Sequence, residues 1–140
     1  MVDKKQLEES LNFTPSFDEN GLVPCITTSA KTGKVLMFAW MNDEAIRKTI
    51  QTGQAHYWSR SRTRLWHKGE SSGNTQKIID MRTDCDQDCI WISVEMSTEA
   101  SCHTGRESCF YRKIDLEGPS DKPKMKLIDA NQIFDPQEVY

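Results

Sequence analysis

The sequence has no long apolar run, and only 36% of its 140 residues are hydrophobic. No stretch approaches the ~20 consecutive apolar residues of a membrane-spanning helix. The N-terminal segment MVDKKQLEES also lacks the apolar core of a signal peptide. We therefore expect a cytoplasmic protein with no membrane partner.

An excess of positive charge is also missing. Lysine and arginine total 18 against 21 aspartate and glutamate residues, so the net charge is -3. This balance excludes the broad positive field of a dedicated nucleic-acid-binding protein. The chain is long enough for one domain. Few hydrophobic residues are available for a core, so burial of further apolar surface against a partner would add stability. We therefore expect a homo-oligomer.

The chain contains no internal repeats and no low-complexity linkers, so we expect one domain over residues 1–140. Residues 1–20 form an N-terminal helix or tail, and residues 115–140 form a C-terminal extension. Asn42 is suited to cap a helix that ends at Gly53. Apolar and polar residues alternate along CIWISVEM, as in a half-buried strand. Strand-like segments lie too close together for repeated helical crossovers, which predicts an α+β fold with a mainly antiparallel sheet and a few short helices.

Five cysteines occur without a secretory signal, and such cysteines are more often metal ligands or buried residues than disulfides. Cys102 and Cys109 bracket the loop CHTGRESC, and Cys85 lies within DCDQD, where flanking carboxylates disfavour burial. Three cysteines predict zinc with one coordination position open for water, as in catalytic sites. The alternative is a closed structural site that adds Cys89. Cys89 is otherwise explained by packing at the start of CIWISVEM, and the sequence assigns no role to Cys25.

Three aspartates, Asp84, Asp86 and Asp88, follow one another at a spacing of two. On an extended segment this spacing points the three carboxylates to one side. Their mutual repulsion favours a neutralising cation, and hard oxygen ligands suit magnesium. An EF-hand is excluded because Cys89 occupies the position that requires glycine.

The segment YWSRSRTRLWHKGESSG mixes basic and aromatic residues with serine and glycine. This composition suits either single-stranded nucleic acid or one phosphorylated small molecule. The acidic net charge favours the small molecule. The candidate substrate-binding residues are Trp58, Ser59, Arg60, Ser61, Arg62, Lys68 and Ser72.

Together, FAWMN (38–42), HYWSRSRTRLWHKGESSGNTQ (56–76), DCDQD (84–88) and CHTGRESCFYR (102–112) resemble the phosphoribosyl-AMP cyclohydrolases of histidine biosynthesis. The resemblance implies a hydrolase that opens the N1–C6 bond of the adenine ring, a cyclic amidine C–N bond, in N1-(5-phosphoribosyl)-AMP by zinc-activated water. It also implies one zinc per subunit on Cys85, Cys102 and Cys109, and magnesium on Asp84, Asp86 and Asp88. It further implies a homodimer in which Cys85 comes from one chain and Cys102 and Cys109 come from the other. The chain is expected to be the monofunctional form.

For proton transfer we expect His103, beside a zinc ligand, to act as the catalytic residue. His67 is the rival base, and His56 is expected to be structural. The competing function is an RNA-binding module with a structural zinc, which would require the closed four-cysteine site. A generic purine deaminase is disfavoured because its H-x-E and P-C-x-x-C motifs are absent.

Overall fold

The computed structural model describes residues 3–97 and 106–128, within which two helices and eight strands form. Their bounds are α1 Lys4–Glu9, β1 Val23–Ser29, β2 Val35–Met41, α2 Asp43–Thr52, β3 His56–Ser59, β4 Arg64–His67, β5 Gln76–Thr83, β6 Ile90–Met96, β7 Arg112–Ile114 and β8 Met125–Leu127. Neither helix of this described part has the length and apolar character needed to span a membrane.

Six strands form one sheet in the order β4-β3-β2-β1-β6-β5, and β7 pairs with β8 in a separate ribbon. All neighbouring strands are antiparallel except β1 and β6. The sheet curls, so that Ala55, the residue before β3, contacts the start of β5. The backbone N–H of Ala55 donates to the Gln76 carbonyl over 2.9 Å. The expected α+β fold with a mainly antiparallel sheet is confirmed.

Helix α2 has the two ends that the sequence predicts. The Asn42 side chain accepts a hydrogen bond from the Ala45 backbone N–H at 2.8 Å, which satisfies a free donor of the first turn. Gly53 ends the helix with φ 71°, a left-handed conformation that glycine adopts without strain. Ala45, Ile46 and Thr49 are buried on the side that faces the sheet.

The core lies on one face of the sheet, as the alternation of buried and exposed residues along β6 shows. Ile90, Ile92 and Val94 are buried, whereas the alternate residues of β6 are exposed or half-buried. Tyr57 is fully buried beside them, and its hydroxyl is hydrogen bonded to Thr27 Oγ1 and to Gln76 Oε1. Burial of this phenol is therefore compensated by two hydrogen bonds.

Two local expectations were wrong. The serine, glycine and charged residues after Trp58 predict a loop, but the segment contains β4, which pairs with β3 from His56↔His67 to Ser59↔Arg64. The pairing gives Leu65 and Trp66 a cross-strand surface on which to pack, which the sequence pattern alone did not reveal. The sequence CFYRKI (109–114) also predicts a strand, but that strand begins only at Arg112, because Ser108 and Cys109 bond to the start of β2 instead.

Candidate active site

The β5–β6 connection is a tight turn closed by hydrogen bonds of Asp84. The Asp84 side chain accepts from the backbone N–H groups of Asp88 and Cys89 at 3.0 and 3.1 Å. Its backbone N–H donates to the Cys89 carbonyl at 3.2 Å. Within the turn Gln87 adopts φ 59°, the left-handed region that non-glycine residues seldom occupy. Residues 84–89 together form this acidic turn.

The three carboxylates of the acidic turn converge, as expected, but for a different reason. Asp84, Asp86 and Asp88 each place an oxygen within 4.8 Å of the others. The segment is a turn rather than an extended strand, so backbone reversal and not period-2 alternation brings them together.

Crowding of these carboxylates changes their protonation. Hydrogen bonds with Asp84 and Asp86 raise the pKa of Asp88 to about 6. Burial acts to raise the pKa of Asp84, but hydrogen bonds with the Asp88 and Asp86 side chains and from backbone amides outweigh it and lower that pKa. The cluster therefore retains one proton at mildly acidic pH, because a third negative charge there is unfavourable without a cation. The all-oxygen donor set fits a hard divalent cation such as magnesium.

Cys85 lies in the same turn and is exposed. It lines a cavity of about 380 Å³ together with Asp84, Gln87, Thr83 and the N-terminal segment from Leu7 to Phe13. An exposed thiol beside carboxylates, and away from the core, is available to a soft metal such as zinc.

Cys109 is the second candidate zinc ligand that the structure describes, and it is also exposed. Its backbone N–H donates to the Leu36 carbonyl at 2.7 Å. The neighbouring Ser108 is buried, and its hydroxyl donates to the Val35 carbonyl at 2.7 Å. These bonds fix the Cys109 backbone against the start of β2. Cys102 and His103 lie outside the described residues.

The strand register separates Cys85 from Cys109 within one chain. Ile90 is opposite Cys25, whereas Leu36 lies at the level of Thr27 and Thr28. That offset is two to three residues along the strands, roughly 8 Å, and β2 and β6 are two strand spacings apart, roughly 10 Å. The backbones of Ile90 and Leu36 are therefore roughly 13 Å apart, and the acidic turn carries Cys85 still farther away.

Two sulfur ligands of one zinc ion are at most about 4.6 Å apart, since each Zn–S bond is about 2.3 Å. Cys85 and Cys109 of the same chain do not meet this requirement.

The other two described cysteines differ from these. Cys25 is buried in the core, and burial raises the pKa of its thiol to about 12. Cys89 is half-buried at the end of the acidic turn, directly before β6, and lines an apolar cavity of about 390 Å³ with Ile26 and Trp91. Burial also raises the pKa of the Cys89 thiol, ahead of the effect of nearby Asp84. Both positions agree with a packing role.

The β3–β4 hairpin gathers part of the predicted substrate-binding set. Ser59, Ser61, Arg62, Arg64 and Trp66 line one cavity of about 430 Å³. The Arg62 backbone N–H donates to Ser59 Oγ at 3.3 Å, and the two serine hydroxyls are 3.4 Å apart. Hydroxyls and guanidinium groups around an open cavity suit a phosphate group.

The remaining predicted substrate-binding residues lie elsewhere. Arg60 stacks on Trp40, with its guanidinium carbon 4.8 Å from the ring centroid, and Trp58 pairs with Trp40 across β2 and β3. Lys68 is buried, with its ammonium nitrogen 5.4 Å from the Trp66 ring centroid. Ser72 accepts a hydrogen bond from the Asn74 backbone N–H within the β4–β5 loop. None of these four residues lines the hairpin cavity.

His56 and His67 form a stacked pair across β3 and β4, with ring centroids 4.4 Å apart. His67 Nε2 is 2.6 Å from Gln54 Oε1, and His56 Nδ1 is 2.9 Å from the Gln54 carbonyl oxygen. Burial is the main cause that lowers the pKa of His56. The pair is tied to its own strands, consistent with the structural role expected of His56.

Sequence reasoning missed Arg64 and Trp66 in the hairpin cavity and Gln87 and Ser108 beside the candidate ligands. Alternation along RLWH, read as a strand, would have placed Arg64 and Trp66 on one face. No local signal marks Gln87 or Ser108, because their partners are distant in sequence.

Comparison with known proteins gives the family context for this site. The sequence model of the phosphoribosyl-AMP cyclohydrolase family matches residues 37–111. A phosphoribosyl-AMP cyclohydrolase of Bradyrhizobium diazoefficiens is 57% identical over 135 residues, covering 96% of this chain and 94% of that protein. Proteins of the same name from Nitrobacter winogradskyi and Rhodopseudomonas palustris are 56% and 54% identical, each over 96% of this chain and over 92% and 90% of their own lengths.

Proposed function

Because the chain belongs to the phosphoribosyl-AMP cyclohydrolase family, and is therefore a hydrolase of histidine biosynthesis, we propose that it opens the adenine ring of N1-(5-phosphoribosyl)-AMP at the N1–C6 bond. In this reaction the oxygen of water bonds to C6, which becomes a carboxamide carbon. The N1–C6 bond breaks; one of the two protons of water goes to N1, and the other goes to the exocyclic nitrogen, which becomes the amide NH2. The hydrolase interpretation replaces the RNA-binding alternative.

The observation that carries the proposal is the acidic turn. It presents three converging carboxylates and an exposed thiol within five consecutive residues, Asp84 to Asp88. Hard and soft ligands side by side suit two different metals. We assign the carboxylates to magnesium and Cys85 to zinc.

Zinc would be held by Cys85, Cys109 and Cys102, the last of which lies outside the described residues. When bound, zinc supplies Lewis acidity that lowers the pKa of a water molecule towards neutrality. The chain's own contribution is to hold the thiol ligands in place. At Cys109 this is done by the bonds of Ser108 and of the Cys109 backbone to the start of β2.

A second copy of the chain is needed to complete this zinc site. The separation of Cys85 from Cys109 along the sheet supports a site in which one chain supplies Cys85 and its partner supplies Cys109. A C2 dimer would then contain two such sites, one at each end of a self-complementary interface.

Exposed apolar surface further supports the homodimer. Ile26, Phe38 and Trp91 are register partners across β2, β1 and β6, and they are 37%, 50% and 43% exposed. This row is contiguous and lies on the face of the sheet opposite the core. Contiguous exposed apolar surface of this kind is typical of protein interfaces.

The β7–β8 ribbon presents a second apolar face. Ile114 and Met125 are paired, Leu127 lies on the same face, and all three are exposed. Lys113 pairs with Lys126 on the opposite face. Since an isolated two-stranded hairpin is marginally stable in water, such a face gains stability from a covering partner.

We assign the substrate's phosphate groups to the hairpin residues Ser59, Ser61 and Arg62, with Arg64 added from the structure. A guanidinium binds phosphate in a bidentate manner, and serine hydroxyls donate further hydrogen bonds. Trp58, Arg60, Lys68 and Ser72 remain candidates for other parts of the substrate.

His103 is the proposed proton carrier for ring opening. His67, the rival, already has Nε2 engaged by Gln54 and its ring stacked on His56. This engagement leaves His67 less able to exchange protons with a substrate, which favours His103. The proposal also places the enzyme in the cytoplasm.

The first experiment is to incubate the purified, zinc-loaded protein with N1-(5-phosphoribosyl)-AMP and magnesium and to follow the absorbance change on ring opening. Turnover that a chelator abolishes is the expected result. Cys85→Ala should lose both turnover and zinc, whereas Cys89→Ala should retain zinc. Absence of turnover in folded, zinc-loaded protein would contradict the proposed reaction, and loss of zinc from Cys89→Ala would favour the closed four-cysteine site.

A further inference from the structure

Gln87 connects the acidic turn to a part of the chain more than seventy positions away, the N-terminal segment. Its Oε1 accepts a hydrogen bond from the Thr14 backbone N–H at 2.7 Å, and its Nε2 donates to the Leu7 carbonyl at 3.0 Å. Its own carbonyl accepts from the Ser16 backbone N–H at 2.7 Å. One buried residue thus makes three hydrogen bonds to the backbone of residues 7–16.

The N-terminal segment reached by these bonds borders Cys85. Residues from Leu7 to Phe13 form one wall of the cavity whose other wall includes Asp84, Cys85 and Gln87. This segment precedes residues 37–111, the part of the chain that the family model matches. Its contacts with the acidic turn are therefore not implied by the family match.

The backbone of Gln87 carries a conformational cost at this position. A non-glycine residue at φ 59° lies in the left-handed region, where its Cβ is crowded against the following carbonyl oxygen. Glycine and asparagine adopt this conformation more readily. Glutamine is favourable here for its side chain, whose amide oxygen and nitrogen reach two different backbone groups of the N-terminal segment.

We propose that Gln87 is a positioning residue that fastens the N-terminal segment to the acidic turn and thereby holds Asp84, Asp86 and Asp88 in their metal-binding arrangement. The inference rests on the proposed magnesium site and deepens it. Residues 7–16 are then part of the active site rather than a tail outside it.

The test replaces Gln87 in the full-length, zinc-loaded protein by Gly and, separately, by Asn. Both replacements keep the left-handed backbone, while Gly removes the tether and Asn shortens it by one methylene. Magnesium affinity is measured by calorimetry, and the hydrogen exchange of residues 84–89 is measured in parallel. Thr63→Gly is the matched control, because Thr63 has φ 51° in the β3–β4 hairpin, far from the acidic turn in the strand order.

We expect magnesium binding to weaken about five- to tenfold in Gln87→Gly and Gln87→Asn, as for the loss of one or two hydrogen bonds. Hydrogen exchange of the acidic turn should accelerate in both variants, and Thr63→Gly should match the wild type in both measurements. Unchanged magnesium affinity in Gln87→Gly would overturn the inference but not the proposed magnesium site, because the turn would then bind magnesium without the Gln87 side chain. Absence of magnesium binding in the wild type would instead overturn the proposed metal site, and the inference with it.

Discussion

At the residue scale, Asp88 makes the proposed cation site in the acidic turn sensitive to pH. Hydrogen bonds with two neighbouring carboxyl groups raise its pKa to about 6, so the cluster retains a proton at mildly acidic pH. Binding of a divalent cation must displace that proton. Magnesium binding to the cluster should therefore strengthen as the pH rises through this range.

Asp86→Asn tests the cluster directly. Removal of one of the three carboxylates should raise the magnesium concentration needed for half-maximal turnover by about tenfold or more. The measurement is the initial rate as a function of magnesium concentration. Asp80→Asn is the matched control: it makes the same change on β5, where Asp80 pairs with Arg82 at the surface. An unchanged magnesium requirement in Asp86→Asn would remove this carboxylate from the site.

His56 gives a prediction for stability against pH. Burial is the first cause that lowers its folded-state pKa below the ordinary 6.5, with positive charge on His67 and Lys48 adding to it. The unfolded chain therefore takes up this proton at a higher pH than the folded chain does. The contribution of neutral His56 is fully present above pH 6.5 and is lost as the pH falls through the folded-state pKa.

The check is urea unfolding of wild type and His56→Asn between about pH 7.5 and about pH 5. Asn retains an amide N–H that can replace Nδ1 but does not titrate. We expect the free energy of unfolding of the wild type to fall relative to that of the variant as the pH decreases. Asp88 has the opposite effect on stability, but it is common to both proteins and cancels in the difference. Parallel pH dependences would show that His56 titrates alike in both states.

At the scale of elements, the β4–β5 loop depends on one close backbone approach. Gly69 has φ 90°, and a Cβ added there would collide with the Thr75 backbone nitrogen. Gly73 has φ 79° in the same loop but has open space where its Cβ would lie. The same substitution therefore meets conformational strain at both positions and a backbone collision only at Gly69.

Gly69→Ala should lower the free energy of unfolding by about 2–4 kcal/mol, and Gly73→Ala by only about 1 kcal/mol. Thermal and urea unfolding of the two variants would measure this difference. Turnover should fall more in Gly69→Ala, because Lys68 precedes the displaced backbone. Equal destabilisation of the two variants would mean that the loop adjusts freely around Gly69.

At the scale of the whole molecule, the two described zinc-ligand candidates lie too far apart in one chain to share a metal ion. Mixed dimers make this separation testable. Cys85→Ala and Cys109→Ala should each be inactive alone. When both variants are mixed and allowed to exchange subunits, each mixed dimer should contain one site with both cysteines intact.

Random exchange should restore about a quarter of the wild-type activity, because about half of the dimers are mixed and each of those has one of two sites intact. The rate of ring opening and the zinc content of the mixture are the two measurements. A mixture in which subunit exchange is demonstrated by mass and which stays inactive would contradict a zinc site shared between chains.

Much of this protein was predictable from local patterns. Alternation in CIWISVEM, the Asn42 cap with Gly53, and the close spacing of the three aspartates depend on residues a few positions apart, so helix α2, strand β6 and the acidic cluster were anticipated. The exposure of Cys85 followed from its charged neighbours.

Only the tertiary structure decided how distant segments meet. The parallel pairing of β1 with β6 sets Cys85 and Cys109 at different ends of the sheet, and no spacing along the chain contains that register. The bonds of Gln87 to Leu7 and Thr14, and of Ser108 to Val35, likewise join residues more than seventy positions apart. Local composition determines which element a segment forms, whereas long-range contacts depend on how the whole sheet buries its apolar face and satisfies its backbone groups.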